Sequence, residues 1–277
     1  MNEREFRIKA FKKASLCRNF EESVYHHVEN KDIKFPTYIS AGQEYIPASL
    51  AVLLQEQQPY IYAQHRAHSW YLAFGGNMER LIDELLGRPT GCAYGMGGSA
   101  SIHCPDINMV GHDGLMGSQV PIAVGACYSN KKPTVAVMGD ASAEEDYVLG
   151  AMGWASTKQL PILFIVEDNN LSILTEKKVR RNWEMNDVAN AFRMEGYDLS
   201  DDPLEIFHYR YGMFEMPRLL NIRTNRLYWH AGAGIDDPDT FDRYKAEMSS
   251  LGSEAEEIHE LTQAKVKEAW LRQLEIQ

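Results

Sequence analysis

Asp140 and Asn169 are the residues whose types and surroundings best suit chemistry. Asp140 follows an apolar run, residues 135–138, and Gly139. Asn169 follows a second apolar run, 162–166, within Glu167-Asp168-Asn169-Asn170. The segment between them reads as a helix, so the whole is strand, helix, strand, with polar residues at both carboxyl ends. In an open parallel sheet those ends lie side by side, and ligands bind there. Either residue alone is an ordinary turn or capping residue. Together, beside a glycine turn and a helix N-terminus, a carboxylate and an amide oxygen suit Mg2+ holding a diphosphate. That ion takes hard oxygen ligands and completes its shell with phosphates.

The stretch resembles the alpha subunit of thiamine-diphosphate-dependent 2-oxo acid dehydrogenases (the E1 component) and related acetoin-cleaving enzymes. Their signature is Gly-Asp-Gly followed further on by Asn-Asn; here it reads Gly139-Asp140-Ala141 and Asp168-Asn169. The resemblance implies Mg2+ ligation by Asp140, Asn169 and the backbone carbonyl of Leu171, with Gly139, Ala141 and Ser142 against the cofactor. Ala141 replaces a glycine and would be strained if its φ had to be positive. Glu145 best matches an acidic residue of the family just after the turn; first-turn helix capping is its other reading.

Four further segments extend the resemblance. His65-Arg66-Ala67-His68 is similar to Tyr-Arg-x-His, in which Tyr and Arg contact the diphosphate and His lies near the reactive centre. Arg suits phosphate through its planar fork of donors, and His65 stands in the tyrosine position. The glycine-rich stretch 87–103 resembles GRxTG…GGSMH and makes His103 a candidate proton carrier or acyl-pocket donor. Gly114-Leu115-Met116-Gly117 resembles Gly-Ile-Val-Gly, which lines the aminopyrimidine. Thr224 to His230 resembles TYRxxGH, placing Arg226 and His230 on the loop that closes over the diphosphate; Trp229 replaces its glycine. His68, His103 and His230 are thus the expected catalytic residues. His65, Arg66, Gly114, Leu115, Met116, Arg226 and His230 join the expected cofactor-binding set.

These residues need a scaffold of alternating strands and helices. The chain has 277 residues, 44% of them hydrophobic, enough for one large core or two small ones. Residues 4–30, 45–55, 78–86, 119–127, 183–193, 204–211 and 253–274 read as helices, with Pro47 tolerated in a first turn. Residues 60–63, 135–138, 162–166 and 219–223 read as strands, and 224–242 as a polar loop. The alternation predicts α/β with a parallel sheet and helices on both faces. The resemblance makes this the three-layer αβα thiamine-diphosphate-binding fold. The expected division is an N-terminal helical segment (1–60), a cofactor-binding domain (60–250) and a C-terminal amphipathic helix (251–277). A net charge of -11 argues against a general nucleic-acid or anionic-membrane surface. No apolar run approaches the ~18 residues of a membrane span, and the charged N-terminus lacks a signal-peptide core, so the expected location is cytoplasmic. The four cysteines fit no compact zinc pattern and read as buried thiols.

The resemblance implies an alpha-type subunit that uses thiamine diphosphate and Mg2+. It would decarboxylate a 2-oxo acid and pass the acyl or aldehyde unit to an acceptor, by family default lipoamide on a carrier protein. Such enzymes take the Glu that activates the aminopyrimidine from a beta-type chain, so an alpha2-beta2 heterotetramer is expected. Two alternatives remain at this stage. One is a two-subunit acyltransferase or decarboxylase of specialised or cell-surface sugar metabolism. The other is a non-catalytic regulatory subunit.

Overall fold

Two fully apolar runs form the centre of a parallel sheet. The computed structural model describes residues 1–232 and 236–276. Its strands are β1 (Tyr60–Tyr62), β2 (Met109–Val110), β3 (Thr134–Gly139), β4 (Ile162–Asp168), β5 (Leu171–Ser172), β6 (Thr175–Glu176), β7 (Glu195–Ser200) and β8 (Arg218–Arg223). Six of them pair in the order β2-β1-β3-β4-β8-β7, every neighbour parallel, while β5 and β6 form a separate antiparallel hairpin. From β1 the chain steps outward to β2, then returns past β1 to β3 and continues to β4. The strand order therefore reverses between β1 and β3, which is where open α/β sheets form ligand crevices.

The helices are α1 (Glu3–Glu29), α2 (Tyr45–Leu53), α3 (His68–Ala73), α4 (Met78–Leu85), α5 (Gln119–Asn130), α6 (Asp146–Thr157), α7 (Lys177–Arg180), α8 (Met185–Ala191), α9 (Pro203–His208), α10 (Arg243–Leu251) and α11 (Ser253–Glu275). Strand alternation sorts the core into two layers. Val135, Val137, Leu163 and Ile165 face one side, with α1, α3, α4 and α11. Ala136, Met138, Ile162, Phe164 and Val166 face the other, with α5, α6 and α8. This is the expected three-layer αβα arrangement. No described helix is long and apolar enough to cross a membrane. All four cysteines are buried free thiols.

The N- and C-terminal segments share one layer: α1 packs on α11, α2 and α3, and Phe20 meets Trp270 at 6.0 Å between ring centroids. A buried ion triad ties α1 to the starts of α2 and α10. The Arg18 guanidinium lies 2.5 Å from Glu44 and donates two bonds of 2.8 Å to Asp242, which also caps α10.

Elements without strong apolar periodicity escaped the sequence reading. The edge strand β7, EGYDLS, buries only Leu199 and was not expected. The hairpin β5–β6, the single turn α7 and helix α10 were likewise unforeseen. The loop expected over 224–242 holds no regular element among its described residues, and 233–235 lie outside them, as does residue 277 of the expected C-terminal helix.

The glycine-rich stretch wraps its backbone around a carboxylate. Glu84, fully buried at the end of α4, accepts backbone N–H bonds from Ala93 (2.7 Å), Gly95 (2.9 Å), Gly97 (2.8 Å) and Gly98 (3.0 Å). A Cβ on Gly97 would lie 2.0 Å from the Ser101 carbonyl, and one on Gly91 would lie 2.4 Å from the Glu84 carboxylate, so neither position admits a side chain. Glu84→Ala strands these four donors. It should lower the unfolding free energy by about 2–3 kcal/mol, seen as a lower urea midpoint with an unchanged slope.

Candidate functional site

The register of β3 on β4 builds the site. Gly139 pairs with Glu167, which sets Asp140 beside Asp168 at neighbouring strand tips. Beyond them lies a cleft of about 410 Å³, lined by His65, Arg66, Met116, Gly139, Asp140, Ala141, Ser142, Asn169, Leu171, Arg226 and His230 from the expected set. Gln64, Glu144, Glu145, Ser172, Ile173 and Arg180 complete its wall.

At the β3 tip the turn is tight. The Ser142 hydroxyl accepts from the Gly139 N–H and lies at hydrogen-bond distance from its carbonyl, both 3.0 Å. A Cβ on Gly139 would press on Gln64 at 3.2 Å. Ala141 sits at φ -76°, ordinary right-handed backbone, so the methyl group in place of the family's glycine causes no strain. At the β4 tip the chain turns through Asn170 at φ 65°, a conformation Asn tolerates. The Asn169 amide is fixed at both ends: Nδ2 donates to Gln43 (2.9 Å) and Oδ1 accepts from the Leu171 N–H (3.0 Å). Asp168 faces Asn221 (3.1 Å) and Lys177 (2.8 Å) and does not line the cleft. Burial works against its charge, but these two donors hold its carboxyl below the ordinary range.

Basic groups dominate the opposite wall. Arg66, from the end of β1, donates to the carbonyls of Ile39 and His230, the latter at 3.0 Å. Burial and the nearby Arg226 lower its pKa to about 10, so it stays charged at neutral pH. Arg226 makes a bidentate pair with Asp236 (2.6 and 2.7 Å) and donates to the Ile173 carbonyl (2.9 Å). Burial, with Arg66 and Arg226 alongside, lowers His230 to about 4. His65 is likewise held well below its usual value, first by burial and then by Arg66. Both imidazoles are neutral at pH 7, and Nδ1 of His65 is buried without a hydrogen-bond partner.

Four expected residues lie elsewhere. His68 opens α3 but is fully buried away from the cleft. Its Nδ1 is 3.1 Å from both Glu21 oxygens and its Nε2 2.9 Å from the Ser99 hydroxyl, because the first turn of α3 faces the α1 layer. The network still reaches the site, since Ser99 also accepts the Tyr38 N–H (2.8 Å) and the Tyr38 ring packs edge-on against His65 (4.7 Å) and His230 (5.6 Å). His103 is exposed, and its Nδ1 accepts the Gly111 N–H at 3.2 Å. Gly114 and Leu115 form an outward turn, with Leu115 60% exposed. Only Met116 of that turn reaches the cleft, and its carbonyl accepts from the Tyr147 hydroxyl.

The sequence reading missed Arg180 entirely. Its guanidinium contacts the carboxylates of Asp140 and Glu144, while Arg181 donates to the Asp140 carbonyl (2.7 Å) and to Glu144 (2.9 Å). The only sequence signal was the basic run 177–181, which reads equally as a solvated face.

The wall fits Mg2+ and a diphosphate on three counts. Asp140, Asn169 and Leu171 bring only hard oxygens. A cation, the Arg180 guanidinium, already stands on Asp140. The unpartnered His65 nitrogen and the Arg66 fork suit an anion. Among the described residues no group of three or more His, Cys, Asp and Glu could hold a metal ion, so ligation here would rest on one carboxylate plus amide, carbonyl and phosphate oxygens.

The two neutral imidazoles make stability sensitive to acid. Unfolded histidine titrates at its ordinary value, whereas folded His230 titrates near 4, so between those values the unfolded chain binds more protons. Their stabilising contribution is present above the ordinary value and lost as pH falls toward 4. The unfolding free energy should therefore drop between about pH 7 and pH 5, and His230→Asn should flatten that slope in urea titrations.

The dehydrogenase E1 component family matches this chain over residues 12–277. The chain is 26% identical over 258 residues to the mitochondrial pyruvate dehydrogenase E1 component subunit alpha-1 of Oryza sativa subsp. japonica, covering 90% of this chain and 65% of that protein. It is 28% identical over 257 residues to the pyruvate dehydrogenase E1 component subunit alpha of Rickettsia typhi, covering 87% and 77%. It thus spans about two thirds to three quarters of the length of these relatives. Among solved structures, the transketolase of Campylobacter jejuni superposes with a TM-score of 0.57 at 16% identity, over 97% of this chain and 49% of that one. The transketolase of Leishmania mexicana gives 0.54 at 12%, over 96% and 46%. At these identities the likeness concerns the fold alone.

Proposed function

Because the chain belongs to the dehydrogenase E1 component family, we propose that it is the alpha-type subunit of a two-component enzyme acting on a 2-oxo acid, with thiamine diphosphate and Mg2+ in the cleft described above. The observation that carries this reading is the meeting of Asp140, Asn169, Arg66 and His230 in one cavity where the strand order reverses. Relatives named pyruvate dehydrogenase E1 component subunit alpha support a 2-oxo acid as substrate and decarboxylation with acyl transfer as the reaction.

When bound, thiamine diphosphate supplies the nucleophilic carbon and the electron sink that let the bond to the departing carboxylate break. The chain's own residues bind and orient. Asp140, Asn169 and the Leu171 carbonyl would hold the metal, and Gln43 fixes the direction of the Asn169 amide. Arg66 and Arg226 would offset diphosphate charge. The neutral His65 and His230 would act as uncharged hydrogen-bond donors, and Met116 supplies the apolar side of the wall. Catalytic roles for His68 and His103 are not part of this proposal, given where they lie.

The activating carboxylate would come from a beta-type partner in an alpha2-beta2 assembly. Of the carboxylates that line the cleft, Asp140 and Glu144 are engaged by arginines, and Glu145 is exposed at the head of α6. Lipoamide on a carrier protein is the default acceptor.

Two outcomes are expected. Asp140→Ala should weaken Mg2+-dependent thiamine diphosphate binding about a hundredfold or more in calorimetry, because the only charged ligand is lost; unchanged affinity would reject the ligand assignment. The purified chain given thiamine diphosphate, Mg2+ and pyruvate should show no turnover until a beta-type chain is added, and turnover by the single chain would refute the need for a partner.

A further inference from the structure

The basic segment of α7 is laid onto the acids at the strand tips. Lys177 lies 2.8 Å from Asp168 and 2.8 Å from Glu184. Arg180 pairs with Asp140 and Glu144, and Arg181, nearly buried, backs it through the Asp140 carbonyl at 2.7 Å and Glu144 at 2.9 Å. The Arg181 guanidinium rests 4.9 Å over the Trp183 ring, which holds it in place.

Two features of this arrangement point to a ligand. Asp140 is the single carboxylate of the proposed metal set, so the guanidinium on it occupies the charge position a divalent ion would take. Arg180 lines the cleft, and its buried Nε has no acceptor. A buried donor without a partner is costly, and a diphosphate oxygen is the acceptor such donors suit best.

We propose that Arg180 is a tethered counter-ion that competes with the divalent ion for Asp140 and passes to the diphosphate when both ligands arrive. The inference rests on the cofactor reading above. A free metal ion must break the Arg180–Asp140 pair and leave the guanidinium with Glu144 alone. A diphosphate receives it and frees Asp140. Each ligand therefore raises the affinity for the other, and the coupling runs equally in both directions.

The test uses the full chain as isolated, titrated calorimetrically with Mn2+ alone and with inorganic pyrophosphate alone. Arg180→Gln should bind Mn2+ on the order of tenfold more tightly than the unaltered chain, a shift typical of coupled sites, and should bind pyrophosphate more weakly. Arg180→Lys, which keeps the charge, should fall between the two and shows that the effect is not misfolding. Mn2+ affinity that is unchanged or weaker in Arg180→Gln overturns the role of Arg180 while leaving the cofactor reading intact. Absence of Mn2+ and pyrophosphate binding in every variant, the unaltered chain included, overturns the cofactor reading and this role with it.

Discussion

Parallel pairing of β3 with β4 is the constraint on which the site depends. Gly139 opposite Glu167 brings two short polar segments, distant in the chain, to one sheet edge. A slip by one residue would exchange the two faces of a strand buried on both sides and mismatch both core layers. The hydrophobic alternation that packs Val135 and Val137 against one helical layer, and Ala136 and Met138 against the other, is therefore what holds Asp140 in place. The polar tips contribute little to that register; they inherit it.

Charge at the tips is handled in two ways. At the β3 and β4 tips, buried Asp168 and Asp140 meet Lys177 and Arg180 of α7, and the half-buried Glu144 meets Arg180 and Arg181. On the opposite wall, Arg66 is spent on carbonyl oxygens and the neighbouring imidazoles are kept neutral by burial and by the arginines themselves. Ion pairing on one wall and, on the other, an Arg66 charge met by carbonyl oxygens create a gradient across the cleft. A bridging cation with an anionic tail would complement such a gradient.

Support for this wall comes from elements far away in the chain. Tyr38, positioned through Ser99 and His68, backs both His65 and His230. The Trp229 indole donates to the Thr37 carbonyl at 3.0 Å, so the residue that replaces the family's glycine anchors the loop bearing His230. The glycine-rich loop contributes through Ser99, after wrapping its own backbone around Glu84.

The α/β alternation, the two central strands and the pairing of Asp140 with Asn169 were written in the sequence, because apolar runs that end in glycine and polar residues have few other structures open to them. The types of residue at Arg66, Arg226 and His230 were equally legible. What the sequence could not decide was direction. His68 and Arg66 lie two positions apart, yet one faces the α1 layer and the other the cleft, since the chain enters α3 between them. His103 and Leu115 carry suggestive neighbours but point to solvent. Arg180 belongs to a charged run that any surface might carry, and only the fold of the β5–β6 hairpin lays it on Asp140. Residue type sets what chemistry is available, whereas long-range packing decides which side chains share a cavity, and that packing is settled by contacts no local pattern records.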